Sequence, residues 1–466
     1  MSTPGGRQLL AGWGRTPASA ATVVRPGSAA EIGELLAGGR GNLGLIPRGL
    51  GRSYGDAAQC GGGLVVDCAG LNRILDLDLR GAKVRAEAGV SFDDLLRLLV
   101  PKGLFVPVTP GTRFVTLGGA IASDVHGKNH HLDGTLSRHL DGLRIATALG
   151  PIDCGPEDQG EVFPATCGGM GLTGVILEAA LRLMPIETSS MVVDTERVTD
   201  LEACMARLSE ETGTYRYSVA WIDGLSRGRH LGRSVLTRAN HALLTDLPGK
   251  ARHDPLRIQL RNPLGVPLSP PVSVLSPATV AAFNEAWFRH APRHRAGELV
   301  PLAKFFYPLD GLANWNRLYG PRGFTQYQFV VPLVAEVTVR TVLERLSRAR
   351  VASFLAVLKR FGPQGSGHLS FPSEGWTLAL DVPLGSVGVA ALLDGLDELV
   401  VSAGGRVYLS KDGRMRPELL AAMYPRLDSW REVRESLDPE GVLCSDLARR
   451  LGLVHRARPA MAGVDP

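Results

Sequence analysis

Pro47-Arg48-Gly49-Leu50-Gly51-Arg52-Ser53-Tyr54-Gly55 is the stretch on which the reading of this chain turns. Glycines let backbone N–H groups approach an anion closely, and such a nest holds a pyrophosphate without a helix end. Alone, the cluster reads more readily as a tight turn, because short motifs recur by chance. Two further clusters change its weight. Pro110-Gly111-Thr112 leads into Thr116-Leu117-Gly118-Gly119-Ala120-Ile121-Ala122-Ser123-Asp124-Val125-His126-Gly127, whose small residues let a flat ligand lie against the main chain. Gly168-Gly169-Met170-Gly171-Leu172-Thr173-Gly174 contains a formal G-x-G-x-x-G. That fingerprint belongs between a strand and a helix. Here Glu161 to Thr166 precedes it and a strand-like Val175 to Leu183 follows, so a nicotinamide Rossmann site is rejected; packing on an adenine or ribose stays open.

At 466 residues the chain exceeds one hydrophobic core, which predicts two domains. The net charge of +5 is modest and its basic residues are scattered, so nucleic acid is excluded as a partner. Six cysteines without a Cys-x-x-Cys pair read as buried thiols in a reducing, cytoplasmic setting. Met1 to Ala11 lacks the pattern of a signal peptide, and no apolar run of about 18 residues predicts a transmembrane segment. Contact with a membrane, if any, is expected to be peripheral. His126, Lys128, His130 and His131 lack the carboxylate or cysteine that would complete a metal site, so none is expected. P-loop, nucleophile-elbow and zincin motifs are absent.

The pattern of elements predicts an α+β fold. Thr22 to Arg25 reads as strand, and Ser28 with Glu31 caps a helix carrying Ile32, Leu35 and Leu36. Ile46 to Gly55 reads as turn and Gly63 to Leu71 as strand. Ile74–Leu79 and Ala82–Ala88 form a hairpin across Arg80-Gly81, and Ser91 with Asp94 caps a helix through Val100 that Gly103 ends. Past residue 185 longer amphipathic segments replace the glycine clusters: Ala335–Arg348 and Val387–Val401 read as helix and Thr377–Val382 as strand, so a second sheet with helices on one face is expected. Six prolines between Pro255 and Pro277, without periodicity or an apolar face, suggest a surface loop of the kind that serves as a lid. Arg406–Leu409 returns to strand, followed by helices near Leu419–Met423 and Cys444–Leu451.

The three clusters, in this order, resemble the FAD-binding domain of the vanillyl-alcohol oxidase superfamily. In many members a histidine at the position of Tyr54 bonds covalently to the flavin; tyrosine cannot form that link, so the resemblance implies non-covalent FAD. Longer motifs narrow the likeness to the decaprenylphosphoryl-β-D-ribose oxidase family. Besides Arg48-Gly-Leu-Gly-Arg-Ser-Tyr-Gly-Asp56 and Asp124-Val-His-Gly-Lys-Asn-His-His131 they include Gly12-Trp-Gly-Arg-Thr16, Gln326-Tyr-Gln-Phe329 and Ser445-Asp-Leu-Ala-Arg-Arg450, and the similarity runs from about Gly12 to Leu453. The resemblance implies a two-part FAD-binding domain, residues 1–189 completed by 406–466, enclosing an α+β substrate domain with an antiparallel sheet over 190–405. It implies oxidation of the 2-hydroxyl of a ribose on a polyprenyl phosphate by hydride transfer to flavin, with a separate NADH-dependent short-chain reductase completing the epimerisation to arabinose.

By the same resemblance Arg48 to Gly55, Pro110 to Thr112, Thr116, Gly118, Gly119, Ala122, Ser123, His126, Gly127, Asn129, Gly171, Thr173, Gly174, Val175 and Lys411 hold FAD. Gln328, Lys359, Trp221, Tyr307, Thr377 and Ala379 line the substrate site. Lys411, Tyr54 and His126 are the catalytic candidates. A cation at Lys411 would stabilise charge developing near flavin N1 and the C2 oxygen, or polarise the hydroxyl. Two departures bear on specificity: Ala379 stands where the family's well-studied members have a cysteine, and Thr377 replaces an asparagine. Alternatives are a relative acting on another sugar, nucleoside or polyol, and a flavin-binding scaffold without turnover.

Overall fold

A computed structural model describes residues 3–38, 43–210, 213–260, 264–271 and 273–454. The first sheet contains β1 (Thr3–Ala11), β2 (Ala18–Arg25), β3 (Leu45–Arg48) and β4 (Leu64–Asp67) in the order β1-β2-β4-β3. Strands β2 and β3 both run parallel to β4, and the helix Ala29–Gly38, with Ile32 and Leu36 buried, makes the crossover between them. Ser28 Oγ accepts from Glu31 N at 3.3 Å, the expected cap, and the Glu31 carboxylate accepts from Gly27 N.

Ile46–Arg48, the start of the turn expected over Ile46–Gly55, belongs instead to strand β3. Its apolar Leu45 and Ile46 are fully buried, and the main chain of Leu45 also bonds to Val442 and Cys444 of the C-terminal tail, so the turn starts only at Gly49. The predicted strand at 63–71 stops at Asp67, whose side chain accepts from Ala69 N and starts a single 3₁₀ turn.

The second sheet is antiparallel throughout: β5 (Ile74–Asp78), β6 (Lys83–Glu87), β7 (Leu140–Thr147), β8 (Gly150–Cys154) and β9 (Val175–Arg182), in the order β5-β6-β9-β7-β8. The β5–β6 hairpin turns where expected, with Asp78 Oδ1 accepting from Arg80 N and Gly81 N. Ser91 and Asp94 form a reciprocal capping box on the helix Phe92–Leu99, and Gly103, at φ 73°, follows the last turn.

The third sheet has eight antiparallel strands: β10 (Ser190–Val198), β11 (Tyr217–Ile222), β12 (Ser234–His241), β13 (His294–Pro301), β14 (Phe324–Val331), β15 (Ala356–Phe361), β16 (Gly375–Pro383) and β17 (Arg406–Val407). Their order is β13-β10-β12-β11-β15-β16-β14-β17. The helices Leu201–Glu210, Glu336–Arg348 and Val389–Ser402 cover one face, packing Val342, Leu343, Leu396 and Val400 against Phe329, Leu378 and Leu380. Each such fully buried side chain contributes about 1.5–3 kcal/mol. Strand β14 is buried on both faces. Its period of two sends Tyr327 and Phe329 into this core and Gln326 and Gln328 to the opposite face, where the site lies.

The Pro255–Pro277 segment differs from its expectation. Leu256, Ile258 and Leu260 alternate and pack on the core beneath the second sheet, so its first part has an apolar face that the prolines concealed. Further on, Leu264–Gly265 pairs with Leu312–Ala313, and Arg317 Nη1 donates to the carbonyls of Val266 and Pro267. Residues 261–263 and 272 of the segment lie outside the described residues.

Candidate active site

The three glycine clusters meet at one cavity of about 530 Å³. Every residue from Pro47 to Tyr54 lines it. From the second cluster come Pro110, Gly111, Thr112, Thr116, Gly118, Gly119, Ala122, Ser123, His126 and Gly127, and from the third Gly171 and Gly174. The glycines are what allow the loops to converge. A Cβ on Gly49 would lie 2.2 Å from Thr116 Oγ1, and one on Gly118 2.8 Å from Ala88 Cβ. The small-residue run forms the helix Leu117–Ala122, capped by Thr116, whose hydroxyl accepts from Gly119 N.

The chemistry of this end suits a dinucleotide. Arg48 is committed to the fold, donating to the carbonyls of Ala58 and Ala11. Arg52 is different: its guanidinium lies 4.0 Å over the Trp13 ring, and its buried Nε has no hydrogen-bond partner among the described residues. A buried unpaired donor on a cation, beside glycine backbones that line the same cavity, fits the diphosphate of FAD.

At the other end Tyr54 and Lys411 are drawn together by the main chain. Tyr54 N donates to Ser410 O at 2.9 Å, and Gly55 approaches Asp412 so closely that a Cβ would sit 1.8 Å from its carbonyl oxygen. Lys411 Nζ therefore lies 4.0 Å over the Tyr54 ring. Behind them Gln326 Nε2 donates to both Tyr54 Oη (3.2 Å) and Asp381 Oδ1 (2.6 Å), and Tyr319 donates to Asp381 Oδ2 at 3.0 Å. Burial holds the Tyr54 phenol well above its ordinary value, reinforced by Asp381, so it is a neutral hydroxyl. Burial lowers Lys411 to about 8, with Asp381 pulling the other way, and raises Asp381 to about 7.

His126 has Gln328 Nε2 3.0 Å from its Nε2 and Lys359 Nζ 3.1 Å from its Nδ1. Burial, with the charge of Lys359 next, holds its pKa well below the usual imidazole range, so the ring is neutral. Ala379 lines the cavity beside Gln328 and Lys359, leaving a small apolar wall there.

Several predicted residues stand outside the cavity lining. Trp221 donates its indole N–H to Phe354 O and meets Trp287 edge-on. Tyr307 is buried behind Thr109, 2.7 Å from its hydroxyl. Thr377 accepts from Gln328 Nε2 at 3.3 Å and so positions that amide from behind. Asn129 donates to Pro107 O and Asp133, Thr173 donates to Thr166, and Val175 packs in the core; Gly55 serves through its close approach to Asp412. All six cysteines are buried thiols, and among the described residues no cluster could hold a metal.

Sequence reasoning gave Trp13, Lys128, Asp310, Gln326 and Tyr408 no place in the site, yet all five line the cavity. The signal available was polar residues at alternate positions of strands otherwise apolar: Gln326 and Gln328 in β14, and Asp381 in β16.

The FAD binding domain family matches residues 20–155, and the D-arabinono-1,4-lactone oxidase family matches residues 384–451. Decaprenylphosphoryl-beta-D-ribose oxidase of Mycolicibacterium smegmatis is 41% identical over 464 residues, spanning 97% of this chain and 100% of that protein. An uncharacterized protein of Streptomyces coelicolor is 41% identical over 372 residues, 78% of this chain and 100% of the relative. L-gulonolactone oxidase of Bos taurus is 34% identical over 165 residues, 34% of this chain and 37% of the relative. With its α+β sheets, its glycine-built cavity and this likeness over nearly its whole length, the chain belongs to the decaprenylphosphoryl-β-D-ribose oxidase family of FAD-dependent oxidoreductases.

Proposed function

We propose that this enzyme oxidises the 2-hydroxyl of a ribose carried on a polyprenyl phosphate to the ketone, the first half of an epimerisation to arabinose. The observation that carries the reading is a single cavity joining the backbones of three glycine clusters to Tyr54, His126, Gln328, Lys359 and Lys411. Bound FAD supplies the hydride acceptor. We assign residues 1–189 and 406–466 to the FAD-binding part and 190–405 to the substrate part; the bonds between Leu45 and the tail at Val442 and Cys444 support joining the tail to the first part, although Arg406–Val407 itself pairs with β14 of the large sheet.

In this reading the glycine loops and Arg52 hold the cofactor. Lys411 places a cation where negative charge develops during reduction, a preorganised partner that needs no reorganisation at the moment of reaction. Tyr54, as a neutral phenol, orients the sugar hydroxyl by hydrogen bonding, and His126, a neutral imidazole held between Gln328 and Lys359, positions those two side chains in the wall. The ketone leaves for a separate NADH-dependent short-chain reductase. No described helix is long and apolar enough to cross a membrane, and a lipid-linked substrate is met by peripheral contact.

The small Ala379 wall supports a second reading, oxidation of another sugar, nucleoside or polyol. One screen separates the two: anaerobic bleaching of the flavin by ribosyl phospholipids, free sugars and nucleosides. Reduction by the ribosyl phospholipid with none by the others supports the first; the reverse pattern sinks it.

A further inference from the structure

Lys128 and Lys359 are two cations in the cavity wall that no carboxylate within ion-pairing distance accompanies among the described residues. Lys128 Nζ donates to the carbonyls of Phe305 (2.5 Å) and Phe306 (3.2 Å), and it lies 4.6 Å from the centre of the Phe305 ring. An ammonium has three N–H donors, so these carbonyls leave one over. Lys359 Nζ has the Gly127 carbonyl at 3.4 Å and the neutral ring of His126 at 3.1 Å. Several other buried cations of the fold are matched with carboxylates, as in Arg113 with Asp93, Arg434 with Asp438 and Arg450 with Asp56. The two lysines repel instead: burial brings each down to about 7, and the charge of Lys128 depresses Lys359 further. Cations gathered in a low-dielectric cavity without counter-charge are costly until an anion arrives.

From Gln328 the polar contacts pass through His126 to Lys359, whose Nζ also meets the Gly127 carbonyl, and Lys128 follows Gly127 in the chain with its Nζ against the Phe305–Phe306 pair. Resting on the sugar-oxidation reading above, we infer that Lys128 and Lys359 form an anion subsite for the phosphodiester that links the ribose to its lipid. A monoanionic diester would take the spare N–H of Lys128 and an N–H of Lys359, and the apolar Phe305 and Phe306 rings would border the first carbons of the lipid.

The test compares a short-chain alkyl phosphoryl-β-D-ribose with a neutral alkyl β-D-riboside on the FAD-loaded enzyme. It also titrates a 2-deoxy analogue of the diester, which binds without being oxidised, against the flavin absorption spectrum. The wild type is expected to prefer the diester in KM. Lys128→Met and Lys359→Met should each weaken diester binding about ten- to a hundred-fold, the range for losing one hydrogen bond to a charged group, and shrink the preference over the neutral riboside by the same factor. FAD content, read from the visible spectrum, shows whether each variant keeps its pocket, and Lys128→Gln repeats the test with a polar replacement. Variants that weaken diester and neutral riboside equally, or a wild type without preference, would overturn the subsite. Flavin left oxidised by every riboside would instead overturn the proposed function, and the deoxy-diester titration still decides the subsite.

Discussion

Replacing Lys411 with alanine should leave FAD bound and slow flavin reduction about a hundred- to a thousand-fold. Among the described residues no carboxylate is hydrogen-bonded to Lys411 Nζ; it sits 4.0 Å over Tyr54 in a buried pocket, with Asp381 as the carboxylate that raises its pKa. Two unit charges about 4 Å apart at an effective dielectric near 20 interact by about 4 kcal/mol. Removing one preorganised donor from a site of developing charge typically costs about 2.7–4 kcal/mol. FAD should be retained because the reading proposed above assigns its diphosphate to the glycine loops and Arg52 rather than to Lys411. Lys411→Arg should recover only part of the rate, since a planar fork does not reproduce the ammonium's position. The sign of the pH dependence separates two roles. A lysine near 8 is charged below that value, so a stabilising cation gives a reduction rate that holds at lower pH and falls as pH rises through about 8. A lysine acting as base gives the opposite slope. Asp381→Asn, which removes the carboxylate raising Lys411, should move the falling limb to lower pH. Anaerobic single-turnover reduction at saturating substrate isolates the chemical step. An alanine variant reduced at the wild-type rate would refute the reasoning, and a wild-type rate that climbs through pH 8 would transfer Lys411 to the role of base.

Three further outcomes are expected. Acid precipitation should release all the flavin into the supernatant, because Tyr54 offers no histidyl linkage; yellow pellet would contradict it. Arg52→Met should weaken FAD binding by about 1.5–3 kcal/mol, the worth of a hydrogen bond to a charged group, measured by fluorescence titration of the apoprotein; unchanged affinity would place Arg52 outside the diphosphate cradle. Arg450→Met should destabilise the fold by about 3–5 kcal/mol, because Arg450 pairs with both Asp56 and Asp412 and its loss removes the cation those two buried carboxylates share; a denaturant midpoint that stays put would count against that clamp.

Much of the architecture was legible because it rests on local rules. The Ser91–Asp94 box, the Arg80-Gly81 turn and the heptad-like faces of 336–348 and 389–402 are short-range signals, and each forms within two or three residues of its expected bounds. Leu45–Arg48 was missed because what makes it strand is non-local: β4 on one side and the tail at Val442–Cys444 on the other. In the site, the glycine loops were visible as clusters, yet Gln326, Asp381 and Lys128 were not assigned to it: Lys128 entered only in the rejected metal set and Gln326 only within a family motif. Their meaning depends on which strand face turns toward the cavity, and a polar residue in a strand does not declare whether it faces water or a buried pocket. Trp221 and Tyr307 failed the other way, since large aromatics near a site pack its walls as readily as they line it.

Why the site lies at this seam follows from what each part can supply. Loops built from glycine present amides but few side chains, so they hold an anion well and do little acid–base or charge chemistry. A sheet face presents fixed side chains at alternate positions, here Gln326 and Gln328 opposite Asp381 and Ala379, with Lys359 one strand further. Neither surface alone joins a held cofactor to placed charges. The join is made by main chain: Tyr54 N on Ser410 O fixes the cofactor loop to the turn carrying Lys411, and Gly55 against Asp412 permits no side chain between them. Arg450 closes the same junction from the tail by pairing with Asp56 and Asp412, one residue beyond Gly55 and Lys411 respectively. Arg450 thus bears on the proposed chemistry without lining the cavity, by fixing the distance between the glycine loop at Tyr54 and the turn that carries Lys411.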